Sequence, residues 1–205
     1  MSSLDALAVP QGGAEAAEET RRRLTTRQAA VVDRLVRAAA DEARQRGYEE
    51  FTVRRAARRA GVAPATAYTY FASKDHLLAE VLWRRLDAVE RPPSTAGDDA
   101  LTRITDALRT LGLFIADDPL LAEACTTALL GRGPDVRALR ARFGAEFHRR
   151  LADALGPDAT PSLLLGLDLA YTGAMLWAGL GHLPYAAVPD ALAEVARNLL
   201  GAEAS

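Results

Sequence analysis

Apolar residues along this 205-residue chain recur every three or four positions, the spacing that one face of an α-helix requires. The pattern predicts helices over 27–46, 53–60, 64–71, 74–90, 101–115, 119–130, 136–155, 161–182 and 189–200. Prolines stand at the start of four of these segments, as is typical of a first helical position. No segment alternates in the manner of a strand, so we expect an all-α protein of about nine helices.

Two short helices near residue 60 have the signals of a helix-turn-helix. Gly47 predicts the end of the first long helix, and Thr52 can cap the short helix that follows. Gly61 ends that helix, and Pro64 is well placed to begin the next one. Two short helices joined by a tight glycine turn form this motif.

The helix that begins at Pro64 has a plain outer surface. On a helical wheel Ala67 and Phe71 lie side by side and face the core, whereas Ala65 and Thr69 occupy the opposite side. The flanks of that outer side hold Pro64, Thr66, Tyr68 and Tyr70. Methyl and hydroxyl groups without charge suit base edges in a DNA major groove, although an ordinary helical hairpin with half-buried tyrosines would also fit.

Charge is distributed unevenly along the chain. The formal net charge is −2, but residues 21–75 carry twelve arginines and one lysine against six carboxylates, a net charge of +7. Residues 1–20 and 76–205 are acidic. Basic side chains near the helix-turn-helix would lie beside DNA phosphates, but solvated helix faces in an arginine-biased sequence explain the charge equally well. The charge supports DNA binding only together with the motif.

Several other functions find little support in the sequence. We find no nucleophile elbow, phosphate-binding glycine loop or zinc-protease motif, so an enzyme is not expected. The chain has one cysteine and three scattered histidines, so we expect no metal and no cofactor. The N-terminus does not resemble a secretory signal, which favours a cytoplasmic protein. The apolar stretch 163–183 contains Asp168, so a buried helix is expected there rather than a membrane span.

The motif residues together resemble the DNA-binding signature of the tetracycline-repressor (TetR) family. The residues that carry the resemblance are Thr52, Ala56, Gly61, Val62, Thr66, Tyr68, Tyr70, Phe71, Ser73 and Lys74. It covers about 27–82, where Ala63 replaces a common capping serine and Ala67 replaces a common leucine or isoleucine. The family resemblance implies an N-terminal three-helix DNA-binding domain, followed by a larger helical domain for ligand binding and dimerisation.

The resemblance also implies roles for individual residues. Thr66, Tyr70 and Lys74 would hold phosphates, and the start of the second helix, with Thr52, Arg54 and Arg55, would approach the DNA backbone. The residues expected to face bases are Pro64, Ala65, Tyr68 and Thr69. The expected division of the chain is a disordered tail over 1–22, a DNA-binding domain over 23–75 and a ligand-binding and dimerisation domain over 76–205.

A DNA-binding unit this small contacts one half-site, so a homodimer on a near-palindromic double-stranded operator is expected. Small residues at three- and four-residue steps predict a close helix contact, either between two copies or within one chain. The candidate dimer residues are Gly166, Ala170, Gly173, Ala174, Leu192, Val195 and Leu199. A purely structural helical adaptor is the alternative, and it would need no salt-dependent DNA binding.

The sequence also predicts a cavity for a small, mainly apolar ligand whose binding releases a repressor from DNA. The candidate pocket residues are Trp83, Leu111, Phe114, Cys125, Phe143, Phe147, Tyr171, Met175 and Trp177. His148 and Asp168 attract notice because a partly buried polar group needs a partner. His148 could instead lie on an exposed face, and Asp168 could be a dimer contact.

Overall fold

The computed structural model describes residues 26–90 and 99–203, so the predicted tail over 1–22 lies outside the described residues. The described ranges contain nine α-helices and two short 3-10 turns, without any strand, and the predicted all-α class is confirmed. The helices are α1 (Thr26–Glu50), α2 (Val53–Arg59), α3 (Pro64–Tyr70), α4 (Lys74–Asp87), α5 (Ala100–Leu113), α6 (Pro119–Leu129), α7 (Pro134–Leu155), α8 (Pro161–Gly179) and α9 (Val188–Glu203).

The end of α1 is kinked at Gly47, whose φ of +67° is disfavoured for residues that carry a Cβ. The predicted helix end therefore becomes a sharp change of direction, after which Tyr48 and Phe51 turn inward. Phe51 is almost completely buried beside the alanine face of α2. The kink sets where the short helices of the motif begin.

Helix α4 connects the helix-turn-helix with the rest of the molecule. It packs against α1, α6 and α7. Leu77, Leu78 and Leu86 are fully buried along it, and Arg150 of α7 donates a hydrogen bond to the Leu86 carbonyl at 2.9 Å. The buried side chains on both sides of α4 form one contiguous cluster. The domain boundary at 75/76 falls at the start of this helix and stays a prediction.

The remaining helices form a bundle in which α9 packs against α5 and α8. Helix α5 and the start of α9 approach closely, because a Cβ built on Gly112 would lie 2.9 Å from Pro189 Cγ. The bundle interior includes the aliphatic side chains of Ile104, Leu108 and Leu151, which are fully buried. Burial of such side chains stabilises the bundle by about 1.5 to 3 kcal/mol for each one.

Helix α8 corrects the prediction of a buried helix. By length and composition it could cross a membrane, but only 28% of its most apolar 18-residue window is buried in the protomer. One side faces the core through Leu163, Leu167 and Tyr171. The opposite side, which we name the exposed α8 face, is open to solvent. It comprises Leu169, Gly173, Leu176, Trp177 and Leu180. The prediction of a buried helix is therefore wrong for the exposed side of α8 in a single protomer.

Candidate nucleic-acid interface

Helix α3 presents the surface that the helical wheel predicts. Ala67 and Phe71 are buried, while Pro64, Ala65, Thr66 and Thr69 are exposed. Tyr68 has 53% of its surface exposed, and Tyr70 is half-buried. The exposed side of α3 therefore carries no charge and consists of methyl, ring and hydroxyl groups.

The start of α3 relies on Pro64 because Ala63 offers no side-chain hydrogen bond to the first turn. Loss of such a cap costs about 1 kcal/mol. Further along, the Thr69 hydroxyl donates to the Ala65 carbonyl of its own helix at 3.2 Å. The hydroxyl oxygen keeps lone pairs that can accept a hydrogen bond from a base edge.

Helix α2 supplies positive charge beside α3. The Thr52 hydroxyl accepts a hydrogen bond from the Arg55 backbone N–H at 3.2 Å, which caps the helix. Arg55 lies near Glu50, with a nitrogen-to-oxygen distance of 3.9 Å. Arg54 and Arg58 are exposed, and no partner is seen for them within the described residues. These two guanidinium groups are available to a phosphate backbone.

Lys74 occupies the first position of α4, directly after α3, and its side chain lies against Tyr48. The Lys74 ammonium donates a hydrogen bond to the Tyr48 carbonyl at 3.2 Å and lies 3.7 Å from the centre of the Tyr48 ring. Ser73 caps α4 by accepting from the His76 backbone N–H at 3.0 Å. Sequence reasoning missed Tyr48, although an aromatic residue directly after a glycine at a helix end signals an inward turn of the chain.

The candidate pocket residues lie mostly in the interior. Trp83, Leu111, Cys125, Phe147 and Tyr171 are buried, whereas Phe114, Phe143 and Met175 are half-buried. The Phe147 and Tyr171 rings are 4.0 Å apart, and the Tyr171 hydroxyl donates to the Leu111 carbonyl at 3.2 Å. Burial raises the pKa of the Cys125 thiol to about 12, so this cysteine stays protonated and unreactive. These residues thus form an apolar interior, and a ligand cavity there stays a prediction.

Two tryptophans differ in their positions. The Trp83 indole is buried, and Arg142 Cζ lies 3.9 Å from the centre of its ring. In the described part of the chain, Trp83 Nε1 is the one buried side-chain polar atom without a hydrogen-bond partner. Trp177 is 61% exposed. The assignment of Trp177 to an interior pocket is therefore wrong, because its side chain belongs to the exposed α8 face.

An open groove lies elsewhere, between α1 and α4. It has a volume of about 430 Å³, and none of the candidate pocket residues lines it. Its walls carry Asp33, Arg37, Arg44, Arg84 and Arg85. Asp33 and Arg84 pair across the groove, and Arg84 also pairs with Glu80 on its own helix. The groove is therefore lined by charged as well as apolar side chains.

The candidate dimer residues differ in how much surface they expose. Leu192 is 1% exposed in a single protomer, so it has no surface to offer a second copy and its assignment to the interface is corrected. Gly166 lies against Leu199 of the same chain, where an added Cβ would be 3.0 Å from Leu199 Cδ1. Ala170, Ala174 and Val195 are half-buried, and Gly173 is exposed with no atom within 4 Å of an added Cβ.

His148 and Asp168 are each other's partner. His148 Nδ1 lies 2.7 Å from Asp168 Oδ2, and both side chains are partly exposed. The pair joins α7 to α8 beside the exposed α8 face. The partner that we expect for a partly buried polar group is thus present within the chain.

Known proteins resemble this chain in sequence and in the arrangement of its helices. The sequence profile described as "Bacterial regulatory proteins, tetR family" matches residues 35–81, which span most of α1 through α4. An HTH-type transcriptional regulator of Mycobacterium tuberculosis is 44% identical over 178 residues, which cover 85% of this chain and 82% of the relative. The HTH-type transcriptional repressor KstR of Mycolicibacterium smegmatis is 33% identical over 133 residues, which cover 63% of this chain and 60% of the repressor.

Solved structures agree on the fold. The crystal structure of a TetR transcriptional regulator from Rhodococcus sp. RHA1 superposes with a TM-score of 0.72 at 21% identity, covering 85% of this chain and 97% of that one. The exposed helix α3, the basic flank of α2 and the relatives all lead to the same assignment. The chain belongs to the tetR family of bacterial regulatory proteins and is a DNA-binding transcriptional regulator.

Proposed function

We propose that this regulator is a homodimeric repressor that binds a near-palindromic operator through α3 and is released by a small, mainly apolar ligand. The observation that carries the proposal is the uncharged, exposed surface of α3 around Tyr68, flanked by the cations of α2 and α4. Repression is supported by the KstR relative, which is a repressor by name.

Base recognition is assigned to the exposed side of α3. Ala65 and Thr69 offer methyl groups to thymine, and the Tyr68 and Thr69 hydroxyls can exchange hydrogen bonds with base edges in the major groove. Phosphates would be held by Thr66, Tyr70 and Lys74, with Thr52, Arg54 and Arg55 approaching the backbone next to them. These backbone contacts set affinity and its salt dependence, whereas α3 sets sequence preference.

Dimerisation is assigned to the exposed α8 face. Leu169, Trp177 and Leu180 are each more than 60% exposed in one protomer, which is unusual for large apolar side chains. Gly173 in the middle of this face leaves room for a partner helix to approach closely. A second copy related by a two-fold axis would bury the same face on both subunits and would place two α3 helices on one operator.

Ligand binding is assigned to the apolar interior between α4 and α8. The unpartnered Trp83 N–H lies on α4, so a ligand with a hydrogen-bond acceptor would gain a contact on the helix that carries Lys74. Such a ligand lowers operator affinity only as far as it prefers the conformation that does not bind DNA. The proposed ligand class is therefore an apolar molecule that bears one or a few carbonyl or hydroxyl oxygens.

A footprint on the DNA flanking the protein's own gene tests the proposal. We expect protection of a near-palindromic site that weakens steeply as salt is raised, and that disappears with an active member of a panel of lipophilic metabolites. Absent or salt-insensitive binding would contradict the DNA-binding part. A panel in which every binder leaves operator affinity unchanged would contradict the ligand part.

A further inference from the structure

Tyr48 contacts two successive residues at the start of α4. Its carbonyl accepts from Lys74, whose ammonium also lies over the ring, and its hydroxyl donates to Asp75 Oδ1 at 2.7 Å. Burial and the Asp75 hydrogen bond together raise the Tyr48 pKa to about 12, so the hydroxyl remains a donor at neutral pH. The Tyr48 side chain at the end of α1 thus contacts both the Lys74 ammonium and the Asp75 carboxylate in the first turn of α4.

The α6–α7 turn, residues 130–133, abuts the same carboxylate. A Cβ built on Gly131 would lie 3.0 Å from Asp75 Oδ2 and 3.2 Å from Asp75 Cβ. Close by, Asp135 Oδ2 in the first turn of α7 is 3.8 Å from His76 Nδ1. The body of the protein therefore meets the first turn of α4 directly at Asp75 and His76.

Two arginine side chains of α7 donate hydrogen bonds to backbone carbonyls in and next to this turn. Arg140 Nη1 donates to the Leu129 carbonyl at 2.6 Å and to the Gly131 carbonyl at 3.3 Å. Arg137 Nη1 donates to the Arg132 carbonyl at 2.8 Å. A displacement of α7 relative to α4 would therefore carry Gly131 toward or away from Asp75.

We propose that Tyr48 is a positioning residue for Lys74, and that the α6–α7 turn regulates operator binding through Asp75 and Tyr48. The inference rests on the proposed function, because it assigns the regulation of the same DNA-binding surface. A flexible lysine stem held against a ring loses less conformational entropy when its ammonium meets a phosphate. The ammonium has three N–H donors, and the Tyr48 carbonyl occupies one of them.

The positioning role is tested by the salt dependence of binding to the footprinted operator, measured by fluorescence anisotropy. Lys74→Ala removes one phosphate contact per protomer, so the slope of log K against log salt should fall by about one per protomer. We expect Tyr48→Ala to lower the slope in the same way and to weaken binding roughly tenfold. The double variant should bind no more weakly than Lys74→Ala. Tyr48→Phe keeps the ring and should keep the wild-type slope.

The regulatory route is tested at Gly131. Gly131→Ala adds a methyl group 3.0 Å from both Asp75 Oδ2 and the Ala128 carbonyl oxygen. It should change the operator Kd several-fold, and the part of this effect that passes through Asp75 should vanish in a Tyr48→Phe background. Gly133→Ala is the matched control, because Gly133 has a φ of −59° and an added Cβ would be 3.9 Å from Val136 Cγ2. Tyr48→Leu replaces Tyr48→Ala if circular dichroism shows that the alanine variant does not fold.

The outcomes separate this inference from the proposed function. A wild-type protein that binds no DNA overturns the proposed function itself. If the wild type binds and Tyr48→Ala or Tyr48→Leu keeps the full salt slope, the positioning role is overturned. If Gly131→Ala has the same effect with and without the Tyr48 hydroxyl, the regulatory route is overturned.

Discussion

Arg85 near the end of α4 donates from Nη2 to the Asp118 carboxylate at 2.7 Å. Arg44 of α1 reaches the other oxygen of the same carboxylate, with its Nε at 3.0 Å. Asp118 directly precedes α6, so a single carboxylate joins the helix-turn-helix, the connecting helix and the body. Burial raises the pKa of Asp118, but the hydrogen bonds and charges of Arg44 and Arg85 outweigh it, and the net pKa lies below its usual value.

Asp118→Ala should lower the free energy of unfolding at pH 7 by about 1 to 2 kcal/mol, because it removes the carboxylate that Arg44 and Arg85 share. A carboxylate with a depressed folded-state pKa stabilises the protein above its unfolded pKa and loses this effect as pH falls through the folded pKa. The difference in unfolding free energy between wild type and variant should therefore become smaller once the pH falls below 3.8, the usual pKa of an aspartate. Urea denaturation at several pH values measures it, with the exposed neighbour Asp117→Ala as control.

His76 in the first turn of α4 predicts a second pH dependence. Burial lowers its pKa below 6.5, and the charges of Asp135 and Glu80 offset this only in part. The unfolded chain therefore binds a proton more readily, so stability is lost as pH falls through 6.5 towards the lower folded-state pKa. Thermal unfolding of wild type and His76→Asn between pH 7.5 and about pH 5 checks this. The wild type should lose more stability than the variant, and equal losses would contradict the assignment; the exposed His182→Asn controls for histidine removal.

The exposed α8 face predicts the effect of one introduced charge. Leu176→Glu should dissociate the proposed dimer, because the glutamate would be buried at the two-fold interface without a partner. Sedimentation velocity should show a monomer, and operator affinity should fall with it. Leu113→Glu is the matched control, since Leu113 on α5 is 40% exposed and Leu176 is 42% exposed. A Leu176→Glu protein that remains dimeric would rule out this face as the interface.

The helix-turn-helix was predictable because its signals are local. Thr52, Gly61 and Pro64 act within a few residues of their own positions, and the wheel of α3 needs only the helical repeat to separate Ala67 from Thr69. The caps and buried positions that the structure shows agree with this. Local chemistry decides these elements, so one sequence suffices to place them.

Features that depend on tertiary packing were harder to predict. Trp177 and Leu192 are both apolar residues on amphipathic or apolar helices, and only the packing of α5, α8 and α9 makes the first exposed and the second buried. The Tyr48 contacts with Lys74 and Asp75 join residues 26 and 27 positions apart. Helical periodicity carries no information about such pairs, because it does not say how two helices meet.

The proposed function requires that the exposed surface of α3 reads base sequence while the cations around it hold phosphates. The most direct measurement compares Tyr68→Ala and Lys74→Ala for binding to the footprinted operator and to a set of single-base-pair variants. Lys74→Ala should weaken binding to all of these sequences nearly uniformly, whereas Tyr68→Ala should also change their order of preference. If both variants preserve the wild-type order, or if neither weakens binding, α3 is not the recognition surface and the account is wrong.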